Sequence, residues 1–205
     1  MTRAVKGMVF SASLLEQRQR ASKPLARLPE RLAPMEALSG GALVAGRVGE
    51  LVVGQGGAEL LHALLAAVTG RGLMAALVDA FDGFCAGAAA AAGVSLEKLL
   101  WIRPGSESLA WWCAETLLER PGFSLVAIDF AGPRGGALAA PARAAWARLR
   151  RAAARSSSAV VLLATRPLAR GAASFSLRAR PRQFRWAGSP PFDGYLDRVE
   201  LEFSP

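Results

Sequence analysis

The feature that most constrains this chain is an alternation of short, continuous apolar runs with helical segments. Runs without regular polar positions are typical of strands that are buried on both faces of a parallel sheet. Strands are predicted over 46–54, 73–80, 97–104, 123–130 and 158–167. Helices are predicted over 58–70, 84–94, 106–120 and 137–156. This order predicts an α/β fold with a doubly wound, mostly parallel sheet flanked by helices.

The pattern changes beyond residue 170. Three segments, SFSLRAR, RQFRWA and YLDRVELEF, alternate with a period of two and have no helix between them. They predict antiparallel strands at the C-terminal edge of the sheet. In the last segment, the apolar residues are expected on one face and the charged residues in water: Val199, Leu201 and Phe203 against Arg198, Glu200 and Glu202.

The domain organisation follows from the length of the chain and from the placement of its prolines. The 205 residues suffice for one buried core and are too few for two comfortable domains. Residues 1–35 are mixed and basic, with prolines in their second half, and are predicted to form an N-terminal helix and arm. Residues 36–205 are predicted to form the core, which ends in an arginine-rich segment over 130–192.

Composition excludes several classes of protein. Hydrophobic residues make up 52% of the chain and charged residues 20%, as in globular proteins. No apolar stretch approaches the roughly 18 residues of a membrane span, and no signal peptide is recognised, so a cytoplasmic protein without a membrane partner is expected. Cys85 and Cys113 lack metal-ligand spacing and are expected to be buried thiols, and the single histidine, His62, is interpreted as a packing residue. We expect no metal and no cofactor.

Positive charge is concentrated in one segment. The net charge is +9, yet residues 130–192 contain 12 arginines and no aspartate or glutamate. Such a segment is typical of a surface for nucleic acid or for an acidic protein, although a solvated face in an arginine-favouring proteome would look the same. The candidate partner-binding or DNA-binding residues are Arg143, Arg148, Arg150, Arg151, Arg155, Arg166, Arg170, Arg178, Arg180, Arg182 and Arg185.

The loop after the first strand is where folds of this kind hold phosphate, at the N-terminus of the next helix. A working P-loop needs a lysine for the phosphates and a hydroxyl for Mg²⁺. Here residues 54–68 supply glycines but no Lys, Arg, Ser or Thr, and Glu59 places a negative charge where phosphate would lie. Asp129 ends the fourth strand and is interpreted as a remnant metal-site carboxylate or a structural cap. The sequence predicts a degenerate nucleotide site and no enzymatic activity.

Residues 40–186 resemble the RecA recombinase core. GRVGELVVG is similar to the strand before its P-loop, FSLVAIDF to its Walker B strand, and SFSLRARPRQFRW to its late strands. The functional residues implied by the resemblance are replaced. Gly57 and Ala58 stand for the lysine and hydroxyl, Phe81 for the catalytic glutamate, Ala88 for the adenine-stacking aromatic, and Thr165 for the glutamine that couples nucleotide to DNA. The degenerate site therefore comprises Gly54, Gly56, Gly57, Ala58, Phe81 and Asp129.

A degenerate RecA-like core with an arginine-rich end and the segments PRQFRW and YLDRVELEF resembles the ImuA family. This resemblance implies an accessory protein of damage-induced, error-prone translesion synthesis in the SOS response. Its implied partners are RecA and ImuB, a catalytically inactive polymerase homologue, with single-stranded DNA as a further candidate. Two alternatives stay open: a cell-division inhibitor similar to SulA, which blocks FtsZ, and a stand-alone DNA-binding module.

The tryptophans carry a separate expectation. Trp111 and Trp112 adjoin on one predicted helix and cannot share a face, so one is expected in the core and the other at the surface. Trp146 and Trp186 lie in the basic half, where core packing is expected over stacking on bases.

Overall fold

The computed structural model describes residues 44–132, 143–187 and 195–204. The predicted N-terminal helix and arm, residues 1–35, and the start of the helix predicted at 137–156 lie outside this part of the chain. The described residues form one seven-stranded sheet, in the order β3-β2-β4-β5-β1-β6-β7. Its strands are β1 Val48–Val53, β2 Met74–Asp79, β3 Leu99–Ile102, β4 Phe123–Asp129, β5 Ala159–Ala164, β6 Phe175–Ala187 and β7 Tyr195–Ser204.

Four described helices flank the sheet: α1 Gly57–Thr69, α2 Ala86–Ala91, α3 Glu107–Leu118 and α4 Arg143–Arg155. Every residue of β1, β4 and β5 is buried, which explains their largely apolar sequences. Alternate strand residues face two separate cores. One core packs against α3 and α4, and the other packs against α1 and α2. The predicted fold class, a mostly parallel sheet flanked by helices, is confirmed.

The alanine-rich helix α2 is shorter than the predicted 84–94. Gly93 has a left-handed backbone, with φ of 91°. Its N–H donates to the Ala90 carbonyl, and the Val94 N–H donates to the Ala89 carbonyl. These two bonds form the Schellman motif that ends a helix at glycine. A 3₁₀ turn, Leu96–Lys98, then leaves only four residues for β3.

The C-terminal edge has the predicted antiparallel pair, formed by β6 and β7. The segments SFSLRAR and RQFRWA are joined in the single strand β6, which runs parallel to β1 on its other side. A register shift between Pro181 and Gln183 accommodates the proline, which has no N–H for the ladder. Leu201 and Phe203 pack toward the α1 core while Glu202 is exposed, as their alternation predicts.

Two expectations about single side chains meet different outcomes. His62 is buried and packs edge-on against Phe84, with the ring centroids 5.6 Å apart, so the packing interpretation is confirmed. Cys85 is exposed, contrary to the expectation of a buried thiol, because it stands at the N-cap of α2, ahead of the helix itself. Cys113 is half-buried, and burial raises the pKa of its thiol.

In the part of the chain that the structure describes, no helix combines the length and the apolar character needed to cross a bilayer.

Candidate functional site

The turn between β1 and α1 has three residues, 54–56. Gly56 has φ of 87° and stands at the N-cap of α1. The Gly57 N–H donates to the Gly54 carbonyl at 3.1 Å, which closes the turn on itself. The strand thus passes almost directly into the helix. A loop this tight offers few N–H groups to wrap around a phosphate.

Packing at the start of α1 restricts the turn further. A Cβ atom at Gly57 would lie 2.9 Å from Cγ2 of Val53, closer than real Cβ atoms come. A lysine at this position would therefore need the Val53 side chain to shift. Glu59 is exposed in the first helical turn, where its charge interacts favourably with the positive end of the helix dipole. The same carboxylate repels an anion that approaches the turn.

Two buried aspartates lie side by side at the carboxyl ends of β2 and β4. Asp79 and Asp129 are partners in register. Oδ1 of Asp129 accepts a hydrogen bond from the Ala131 N–H at 2.7 Å. Asp79 accepts bonds from the N–H groups of Gly83 and Phe84, and from Nε1 of Trp101. Each carboxylate holds the loop that follows its own strand, which agrees with the interpretation of Asp129 as a structural cap.

Burial raises the pKa of Asp129 to about 6; the Ala131 N–H opposes this shift and the negative charge of Asp79 adds to it. The side chain is 7% exposed, so desolvation outweighs its hydrogen bond. Among the described residues, no group of three or more His, Cys, Asp or Glu side chains is arranged to hold a metal ion.

Aromatic rings occupy the space beside these aspartates. Phe81 follows β2 and packs against Phe130, with ring centroids 6.2 Å apart. A Cβ at Gly132 would lie 3.2 Å from Cβ of Phe81, so the two loops are in close contact. In the RecA core, a water-activating glutamate stands at the position that corresponds to Phe81. Here that side chain makes an apolar contact instead. Ala88 is exposed on α2, and Thr165 is exposed at the end of β5.

The arginines of α4 are placed on its solvent side. The buried face of this helix consists of Ala145, Trp146, Leu149, Ala152 and Ala153. Arg143, Arg150, Arg151 and Arg155 are exposed. Arg148 differs from them, because its Nε donates to the Glu115 carboxylate of α3 at 3.0 Å. Arg148 is thus engaged between two helices, while the other four are available to a partner.

A second group of arginines lies at the carboxyl edge of the sheet. Arg166 follows β5, and Arg178 and Arg180 lie on β6; we call these three the edge arginines. All three are exposed. They line a shallow pocket over the end of β1, together with Val52, Val53, Gly54, Thr165, Pro167, Ala179 and Pro181. The predicted degenerate turn and part of the predicted arginine surface are therefore brought together.

The remaining candidate arginines lie in the loop after β5 and on β6. Arg170 is exposed and has φ of 43°, a left-handed backbone that is uncommon for arginine. It stands in the turn closed by the Ala172 N–H and the Ala169 carbonyl. Arg182 is exposed at the register shift of β6. Arg185 lies on β6, and its side chain is outside the described part.

Sequence reasoning missed Glu50, which lies in the middle of β1 and is 1% exposed. Its Oε1 accepts hydrogen bonds from the N–H groups of Leu168 and Ala169, at 2.6 and 2.8 Å. Its Oε2 accepts one from the Ser176 hydroxyl at 2.7 Å. This carboxylate ties the loop after β5 to the start of β6. The sequence does contain a signal for this role: Glu50 is the single charged residue in the apolar run of β1, and a buried carboxylate needs hydrogen-bond partners.

No protein-family model matches the chain. No curated protein matches it at a significant level either.

Proposed function

We propose that this chain is a non-catalytic, RecA-like adaptor of damage-induced, error-prone translesion synthesis in the cytoplasm. It acts by binding macromolecular partners, and it does not turn over nucleotide. The observation that carries the proposal is the three-residue turn between β1 and α1, closed by the bond from Gly57 to Gly54. Neither a cationic nor a hydroxyl side chain is available within residues 54–68.

The energetics of the turn support a pseudo-enzyme. Charge-assisted hydrogen bonds contribute roughly 1.5–3 kcal/mol each. A site without the lysine and the metal-ligand hydroxyl, with Glu59 in the first helical turn, forfeits several such contributions. The expected loss in triphosphate affinity is a factor of about 10³ or more.

The proposed partners are RecA and an ImuB-like polymerase homologue. The resemblance of residues 40–186 to the RecA core supports a surface that such proteins recognise. The exposed arginines of α4 and of the carboxyl edge supply positive charge for an acidic partner surface.

The test is association of the full chain with each purified partner, measured by pull-down and by size-exclusion chromatography. Binding to at least one partner without added nucleotide is expected. Association with neither RecA nor the ImuB-like protein would contradict the proposal, and so would ATP turnover that co-purifies with the chain.

A second candidate is a stand-alone DNA-binding module that acts through α4. It is favoured by the exposure of Arg143, Arg150, Arg151 and Arg155 on one described helix. If four such arginines contact phosphates of duplex DNA, log K falls with log[salt] at a slope of about −3.6. A flat salt dependence would eliminate this candidate.

A further inference from the structure

The edge arginines converge from two separate elements onto one pocket. Arg178 and Arg180 lie on the same face of β6, because Ala179 between them is buried in the α1 core on the other face. Arg166 comes from the loop after β5, which crosses the same end of the sheet. Three arginines from two separate elements thus line one surface depression.

The loop that carries Arg166 is anchored to the strand that carries the other two. Glu50 accepts hydrogen bonds from Leu168 and Ala169 in the loop, and from Ser176 at the start of β6. Its carboxylate is buried, so these bonds are shielded from water. The arrangement is therefore held in place before any ligand arrives, which lowers the entropic cost of binding.

The charges around the pocket are unbalanced. Arg103 pairs with Asp82, and Arg148 pairs with Glu115. Neither of these ion pairs involves an edge arginine. The acidic neighbour of the pocket on β7 is Glu202, which is exposed and stands opposite Arg180 in register. Among the side chains that the structure describes around the pocket, three arginines face this carboxylate, which leaves a surface that attracts anions.

We propose that the edge arginines bind the phosphodiester backbone of single-stranded nucleic acid. A guanidinium presents a planar fork of donors that matches phosphate oxygens. Arg178 and Arg180, two residues apart on one strand, lie about 6.6 Å apart along β6, a spacing close to that of successive phosphates in an extended single strand. Pro167, which is exposed, and the half-buried Pro181 can contact sugars or bases.

This inference rests on the proposed function, because a triphosphate seated in the turn after β1 would compete for the same edge. It assigns the nucleic-acid contact to the pocket and leaves the exposed face of α4 to other partners. An acidic polypeptide is the competing ligand, and the experiment includes it.

The experiment measures binding of a fluorescein-labelled oligodeoxythymidylate to the full chain by fluorescence anisotropy over a series of salt concentrations. The variant R166A/R178A/R180A is compared with R150A/R151A/R155A, which removes the same charge from α4. The edge variant is expected to lose at least about tenfold in affinity, and its salt slope should shrink by about 2, at 0.7 per phosphate contact on a single strand. The α4 variant should change affinity by less than about threefold.

A variant that gains affinity provides a control, because a folding defect would lower the affinity and could not raise it. Glu202→Gln removes the carboxylate beside Arg180 and should tighten oligonucleotide binding about twofold, since like-charge repulsion of phosphate is relieved. Circular dichroism and urea unfolding establish that each variant is folded.

Four results would overturn the inference: equal losses in both triple variants, a larger loss in the α4 variant, tighter binding of polyglutamate than of the oligonucleotide, or no oligonucleotide binding by the wild type at low salt. If the wild type does not bind the oligonucleotide but still binds RecA or the ImuB-like protein, this inference fails and the proposed function stands. If Mg·ATP occupies the turn, the proposed function fails.

Discussion

At the residue scale, three buried carboxylates shape the loops at the carboxyl edge of the sheet. Asp79, Asp129 and Glu50 each accept backbone N–H bonds from a loop that leaves a strand. Burial without a hydrogen-bond partner would cost each group several kcal/mol, so these bonds are what allow the charges inside. The sequence singles out Asp129 only by its place at a strand end, and its role depends on contacts that the sequence does not display.

Replacing Asp129 by asparagine should stabilise the protein at neutral pH. The pKa of this carboxyl rises from 3.8 to about 6 on folding, so the folded state binds its proton more tightly. The resulting stability is fully present below pH 3.8 and is lost as the pH rises through 6. Asp129→Asn should therefore raise the free energy of unfolding at pH 7.5 by about 1–3 kcal/mol. Urea unfolding across pH 4–7.5 measures this, and an unchanged pH dependence in the variant would contradict it.

Removing the Glu50 carboxylate should loosen the loop after β5. Glu50→Ala leaves the N–H groups of Leu168 and Ala169 without their acceptor and should cost about 2–5 kcal/mol. Glu50→Gln retains an acceptor oxygen and should cost less. Urea unfolding measures both, and hydrogen exchange of the two amides should quicken most in the alanine variant. Equal stabilities of the alanine variant and the wild type would refute the anchoring role.

At the scale of elements, the hydrophobic pattern of the sequence predicts the strands whose burial depends on local sequence. The apolar runs mark β1, β2, β4 and β5 closely, because a strand buried on both faces is mostly apolar and its few polar side chains need hydrogen-bond partners. The end of α2 is missed, since an alanine-rich run gives no amphipathic boundary and Gly93 sets it through backbone conformation. The union of two predicted segments in β6 is missed as well, because it depends on a register shift at Pro181 against β7.

The adjacent tryptophans of α3 allow the contribution of a buried side chain to stability to be compared with that of an exposed one on the same helix. Trp111 lies 6% exposed between Phe130 and Trp146, with ring centroids at 5.3 and 5.4 Å, whereas Trp112 is 61% exposed. The prediction that one is core and the other surface is confirmed, as is core packing of Trp146. Trp111→Ala should cost about 3–5 kcal/mol, and Trp112→Ala should stay within about 0.5 kcal/mol. Comparable losses in urea unfolding would contradict this division.

At the scale of the whole molecule, charge and fold divide the surface. The acid-free segment 130–192 supplies the exposed arginines of α4 and those of the carboxyl edge. Composition predicts that such a surface exists, and the parallel topology brings part of it beside the degenerate turn. Which arginines face water, and that Arg148 pairs with Glu115, follow only from how the helices pack.

The most direct test of the account is an isothermal titration of the purified chain with Mg·ATP. The three-residue turn, closed by its own backbone bond and preceded by Val53 packed against Gly57, predicts no saturable binding up to millimolar nucleotide. Saturable binding tighter than about 10 μM, lost when Mg²⁺ is chelated, would contradict the claim that this protein works without nucleotide.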